Sequence, residues 1–240
     1  MHICELVHRR VDTYVGESIP ISSREVWMSG REGKNYQNLE RFVPKTPSAV
    51  EYLVERVSSS PNSIDIIAIG PLTNIARAIQ SSSDFESNVK QIWIMGGDFT
   101  QSRVEHNFKC DVDSARIVMQ SRAPISILDL PSSQKTILSM NEIKRIRSAP
   151  KLGELLHAEI LSWIQPRNQD WTIPHDPIAA LALLEPQFFQ TTRDGLVTID
   201  KDGYSFWNES HLGNVRLLNP INPEMAVNAM VDLITNYSKV

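Results

Sequence analysis

The sequence predicts an α/β protein built on a mainly parallel sheet flanked by helices. Three observations carry that expectation. Short, β-branched apolar runs at 64–69, 92–95 and 124–130 have strand length and the near-continuous hydrophobicity of strands buried on both faces. Segments with apolar residues at helical spacing lie between them, so strand and helix alternate along the chain. Glycine pairs or Gly-Pro close the first two runs, at Gly70-Pro71 and Gly96-Gly97, as turn chemistry at a strand end requires.

Taken in order, the first ten residues, M-H-I-C-E-L-V-H-R-R, read as the end of an amphipathic helix with Ile3, Leu6 and Val7 on one face. Val11 to Val15 is a candidate short strand stopped by Gly16, and Ser18 to Phe42 is an irregular loop, longer than compact domains usually carry without a functional reason. Thr46 and Pro47 read as N-cap and first residue of a helix that turns Val50, Leu53, Val54 and Val57 inward. The run at 64–69 reads as a buried strand, and Gly70-Pro71-Leu72-Thr73-Asn74 leads into a helix with Leu72, Ile75, Ala76 and Ile79 on one stripe.

The strand at 92–95 is the one around which the rest is organised. After Gly96-Gly97 comes a polar loop with Glu105 and Asn107, then Asp111 as N-cap of a helix to about 121. In open α/β sheets ligands bind beyond the carboxyl ends of the strands, which is where this loop falls. A strand at 124–130 follows, then helices at roughly 140–148 and 150–165 with Leu152, Leu155, Leu156, Ile160 and Trp163 as a core face. His175-Asp176-Pro177 opens an apolar, buried helix, 195–199 and 203–207 form a hairpin, and a strand near Val215 precedes a helix capped by Asn222-Pro223. We read 1–240 as a single domain with a mostly helical insertion at about 139–170, long enough to bury about 70–75% of its unfolded surface.

Composition narrows the function classes. A net charge of -4 with no basic cluster argues against nucleic acid or a membrane surface as partner. Cys4 and Cys110 are the two cysteines, and they form no metal or redox motif, which fits a reducing compartment. No apolar run approaches the roughly 20 residues of a membrane span, and a secretory core is absent at the N-terminus, so a cytoplasmic protein is expected.

Three segments in order, A-I-G-P-L-T-N-I-A at 68–76, I-M-G-G with E-H-N at 94–107, and H-D-P at 175–177, resemble the inosine–uridine preferring nucleoside hydrolase family. T-Y-V-G at 13–16 is similar to that family's V-Y-x-G, and D-V-D-S-A at 111–115 stands where the family has D-P-E-A-A. The resemblance spans nearly the whole chain. It implies an α/β fold around a mainly parallel sheet and hydrolysis of the N-glycosidic bond of ribonucleosides to ribose and free base. It implies a bound Ca²⁺ with Asp176 and the Ile69 carbonyl among its ligands. It also implies that Glu105, Asn107 and Asp176 contact the ribose, that Met95 lines the sugar pocket, and that His175 serves the departing base. A homo-oligomer, dimer or tetramer, is the family's usual state.

These residue types suit that chemistry. An oxocarbenium-like sugar is stabilised by nearby carboxylates, a leaving base needs a proton donor such as His, and Ca²⁺ takes six to eight oxygens. The resemblance also exposes a gap. The family's D-x-D-x-x-x-D-D, which brings the general base and two calcium ligands, occurs nowhere in the sequence. Family alignment on Tyr14 implies an N-terminally truncated fold that lacks a first strand–helix–strand unit, leaves a sheet edge exposed and binds Ca²⁺ poorly. Ser29 stands where many members have His. The alternatives are an incomplete reading frame of an active ribohydrolase, an inactive truncated paralogue that binds ribose or a partner, or an enzyme with a different base.

Several residues have blander readings. Trp27 and Trp171 could stack on a base, but a half-buried packing role is the better account of each. Asp98 is a possible replacement ligand without family support, and His106 is expected to point away and pack. Asp111 and Asp113 read as cap and helix-dipole residues rather than ligands, and Arg24, Arg31 and Lys34 as solvated loop charge.

Overall fold

The computed structural model describes residues 2–26, 30, 36, 40 and 42–237. In chain order its elements are α1 (His2–Leu6), α2 (Ala49–Ser59), β1 (Asp65–Ala68), α3 (Thr73–Ser81), α4 (Phe85–Asn88), β2 (Gln91–Met95), α5 (His106–Cys110), α6 (Val112–Gln120), β3 (Ile125–Leu128), α7 (Leu130–Ser133) and β4 (Leu138–Ser139). Then come α8 (Met140–Arg147), α9 (Gly153–Ile164), β5 (Trp171–Thr172), α10 (His175–Leu184), β6 (Phe189–Thr191), β7 (Gly195–Ile199), β8 (Ser205–Glu209), β9 (Val215–Pro220) and α11 (Pro223–Asn236).

The main sheet has seven strands in the order β1-β2-β3-β9-β7-β8, with β6 also on β9. β1, β2, β3 and β9 run parallel, while β6, β7 and β8 are antiparallel additions. The sheet is therefore mixed, because the hairpin at 195–209 and the short β6 return beside β9 without a crossover helix. Both faces are covered. Ile92 and Ile94 of β2 point into a core with Val57, Ile75, Ala76, Val118, Ile125 and Ile127. Met95 packs on the other face with Leu128, Ile143, Ile146, Ile164, Ile178 and Val227. Alternation with period two makes one strand serve both layers, and each fully buried Ile contributes about 1.5–3 kcal/mol.

Helix starts follow side-chain chemistry. Ser48 and Glu51 form a capping box on α2, so the helix begins after Pro47 rather than at it. Ser139 and Glu142 do the same for α8, and Asn222 caps α11 by accepting from the Met225 N–H. Asp111 caps α6 and does more. Its carboxylate accepts from Ser114 N–H at 3.2 Å, Thr73 Oγ at 2.6 Å, the N–H groups of Ile21 at 2.8 Å and Ser22 at 3.0 Å, and the Ser114 hydroxyl. One fully buried side chain thus ties the N-terminal segment to α3 and α6.

Other sequence expectations need correction. Val11 to Val15 forms no regular strand; Tyr14 makes an isolated parallel bridge to Lys45, with the Thr13 and Val15 carbonyls accepting from Lys45 and Ala49 N–H, and the pairing stops where α2 begins. β1 is an edge strand among the described residues, so Ile67 is 38% exposed rather than buried. The stretch containing Glu105 and Asn107 is not simply a loop, because α5 forms within it. Trp163 is 40% exposed; α9 turns Ile164 into the core instead and uses Leu156, Ile160 and Leu161 to pack beside it. Leu184, at the end of α10, is exposed as well.

Candidate functional site

The site is built at the carboxyl end of β2, and its shape begins with two glycines. Gly97 has φ +78°, a left-handed conformation that costs other residues about 1–2 kcal/mol. At Gly96 a Cβ would stand 2.6 Å from Phe108 Cε1, so the fully buried Phe108 ring lies directly on the turn. Gly96→Ala is expected to cost about 1–3 kcal/mol by overpacking, read as a lower urea midpoint. An unchanged midpoint would mean that Phe108 has room to shift.

Glu105 closes this turn. Its Oε2 accepts from the N–H groups of Gly97 at 3.1 Å and Phe108 at 3.0 Å, and its Oε1 from Asn107 N–H at 2.9 Å. The carboxylate is the N-cap of α5 and is 4% exposed. Burial pushes its pKa up, and the three backbone N–H groups offset only part of that. Asn107 turns its amide back to donate to the Met95 carbonyl at 3.0 Å, which pins α5 to the strand end.

His175 and Asp176 come from the opposite wall as the first residues of α10, which packs against β2 and α7. His175 Nδ1 lies 2.8 Å from Ser133 Oγ, and burial lowers its pKa. Asp176 is pushed up to about 6, by burial first and then by the negative charge of Glu105. The two carboxyl groups, 71 positions apart in sequence, therefore feel one another.

A cavity of about 650 Å³ is lined by Ile69, Met95, Glu105, Asn107, His175 and Asp176 together, so the structure brings all six residues singled out in the sequence to one place. Arg103, Lys109 and Trp163 also line it, and sequence reasoning missed them in that role. Helical spacing places Trp163 in the core; instead it is exposed, with the Arg167 guanidinium 3.5 Å from its ring centroid. His106 does not point away. It is exposed and lines the same cavity, with Cys110 Sγ 3.6 Å from its Nε2, because residue 106 starts a helix whose buried side is taken by Asn107, Phe108 and Cys110.

Trp171 lies in a different cleft beside Ile137 and Asn141, and Trp27, Ser29, Arg31 and Lys34 fall outside the described residues. Arg24 is not simply solvated, for its guanidinium donates to the Lys201 carbonyl at 2.8 Å. Asp98 does not line the cavity. Its oxygens accept from Thr100 N–H and Oγ and from Ser102 Oγ. Asp113 pairs with Arg116 at 3.4 Å along α6.

The implied Ca²⁺ can be tested against this donor set. Among the described residues, no three His, Cys, Asp or Glu side chains gather into a metal-binding group. Asp176 and the Ile69 carbonyl leave an ion that wants six to eight oxygens well short. The described residues, by themselves, do not fit Ca²⁺.

Fold and cavity define an α/β protein with a polar, partly acidic ligand site at the carboxyl end of its parallel strands. The model of the family described as inosine-uridine preferring nucleoside hydrolase matches residues 1–236, and the chain belongs to that family. It is 32% identical over 190 residues to a probable uridine nucleosidase 2 of Oryza sativa subsp. japonica, covering 73% of this chain and 55% of that one. It is 31% identical over 170 residues to uridine nucleosidase 1 of Arabidopsis thaliana, covering 65% and 49%. The chain thus spans about half the length of these curated relatives. Among solved structures, a plant nucleoside hydrolase superposes with a TM-score of 0.87 at 21% identity, covering 98% of this chain and 84% of that one. A purine-preferring ribonucleoside hydrolase from Gardnerella vaginalis gives 0.85 at 20%, covering 99% and 84%. At such identities the likeness shows a shared fold.

Proposed function

We propose that this chain binds a ribonucleoside in the cavity between β2, α5 and α10 and serves the hydrolysis of its N-glycosidic bond to ribose and free base. The observation that carries the reading is the convergence of Ile69, Met95, Glu105, Asn107, His175 and Asp176 on one cavity. Glu105 and Asp176 set negative charge where a sugar cation would develop, and Asp176, with its pKa at about 6, is mostly ionised at neutral pH. Asn107 and Glu105 hold the sugar hydroxyls, and Met95 forms the apolar floor. His175 meets the base side, where the exposed face of Trp163 offers a wall for a planar ring. Helices α8 and α9 are then an insertion of a single domain that brings Trp163 to the cavity mouth.

Uridine is the first substrate to try, because the names of the plant relatives specify uridine nucleosidases. Calcium enters through family membership alone. With two oxygens from the described residues, the chain alone binds Ca²⁺ weakly and turns over slowly. A second reading, a nucleoside-binding or partner-binding chain without catalysis, is favoured by the lack of a three-ligand metal group among the described residues. In either reading a homo-oligomer in the cytoplasm is expected, and among the described residues no helix is long and apolar enough to cross a membrane.

Two measurements on the purified chain separate these readings. Reducing sugar released from uridine or inosine, with and without added Ca²⁺, reports hydrolysis, and calorimetry with uridine reports binding. Hydrolysis supports the first reading, and binding without hydrolysis the second. Absence of both hydrolysis and binding sinks both. His175→Ala, which deletes one hydrogen bond to the ligand, is expected to weaken uridine binding roughly fivefold.

A further inference from the structure

Ser133 joins α7 to the first residue of α10 by a side-chain hydrogen bond. It is fully buried on α7, a single turn capped by Asp129, whose Oδ1 accepts from Ser132 N–H at 2.9 Å. Ser133 Oγ lies 2.9 Å from the Leu130 carbonyl and 2.8 Å from His175 Nδ1. A serine hydroxyl has one proton to give and two lone pairs with which to accept.

That proton can be placed in two ways. If the hydroxyl donates to His175 Nδ1, the ring proton must sit on Nε2, and one hydrogen bond is made among the three groups. If the hydroxyl donates to the Leu130 carbonyl, Nδ1–H donates to Ser133 Oγ, and two are made. The Leu130 carbonyl already accepts from Gln134 N–H at 2.9 Å, but a carbonyl oxygen has two lone pairs and takes both. The second arrangement makes one more hydrogen bond, worth about 0.5–1.5 kcal/mol net, so it prevails.

We infer that Ser133 is a positioning residue that holds neutral His175 as the Nδ1–H tautomer. His175 lines the cavity, and in this tautomer its Nε2 is the ring acceptor left for a ligand. Neutral His175 in this state accepts a hydrogen bond from a ligand O–H or N–H. It cannot give a proton to a leaving base until the ring has first taken up a second one. The tautomer stands independently of the hydrolase reading, and only its use toward a nucleoside rests on that reading.

The test is a long-range ¹H–¹⁵N correlation spectrum of the ¹⁵N-labelled full chain at a pH where the ring is neutral. His175 is assigned by the signals that disappear in His175→Gln. The expected result is a pyrrole-type Nδ1 and a pyridine-type Nε2. In Ser133→Ala the two signals should move toward the opposite assignment, since free imidazole side chains in water prefer Nε2–H. A wild-type ring with the proton on Nε2 overturns the inference, and so does an unchanged tautomer in a folded Ser133→Ala. If that variant does not fold, the wild-type spectrum decides alone. Failure to hydrolyse or bind uridine would sink the proposed function and leave this result untouched.

Discussion

An Asp111→Ala variant is expected to lose about 3–5 kcal/mol of folding stability, a large share of the 5–15 kcal/mol typical of a domain. Asp111 is fully buried and accepts from Ile21, Ser22, Thr73 and Ser114. Removing the carboxylate leaves their donors inside the protein with no partner, and that desolvation cost outweighs the loss of any single bond. For a chain of this size the melting temperature should fall by roughly 10–15 °C. Burial pushes the Asp111 carboxyl up, but the hydrogen bonds from Ser114, Thr73, Ser22 and Ile21 outweigh it and hold the group below its usual range. Its stabilising contribution is therefore present above the ordinary carboxylate range and is lost as pH falls through the folded-state pKa. Asp111→Asn, which keeps one oxygen acceptor, should fall between. A loss below about 1 kcal/mol in the alanine variant, against the 1–3 kcal/mol typical of one orphaned buried group, would show that these donors find other partners.

Asp176→Asn is expected to move stability and ligand binding in opposite directions. The Asp176 carboxyl is raised from its ordinary value to about 6, so between the two values the folded state binds more protons than the unfolded one. Stability then falls as pH rises through that window, and the penalty is complete above pH 6. Because the group is partly solvated, we set the penalty at about 1–2 kcal/mol. The neutral amide should recover it at pH 8 and recover nothing at pH 3.5, where both forms are uncharged. Urea midpoints of the two proteins at these pH values check the sign, and an equal gain at both would exclude ionisation as its cause. In the same variant, uridine binding or turnover should drop roughly 10–100-fold, the worth of a hydrogen bond to a charged group. Under the proposed function, Asp176 would trade stability for ligand binding.

Much of this was legible in the sequence, and what was missed has physical reasons. The strands at 92–95 and 125–128, the cap at Asp111 and the helix opening at His175 were readable because periodicity and capping are local. The gathering of Ile69, Glu105, Asn107, His175 and Asp176 came from the family resemblance, since no local rule connects positions so far apart. Trp163 was misplaced because helical spacing reports which residues share a face, not what that face meets. The edge position of β1 escaped for a similar reason, as strand burial is decided by neighbours. Helix α5 was hidden because it is five residues long and its cap is a glutamate, an uncommon residue at that position.

The triple engagement of Glu105 has a bearing on how this pocket can change. A carboxylate that holds a turn and a helix together while also lining the cavity cannot be exchanged without loosening the scaffold. Arg103, Lys109 and Trp163 line the same cavity and carry no such duty toward the backbone, so changes in what the cavity accepts should arise at these positions first.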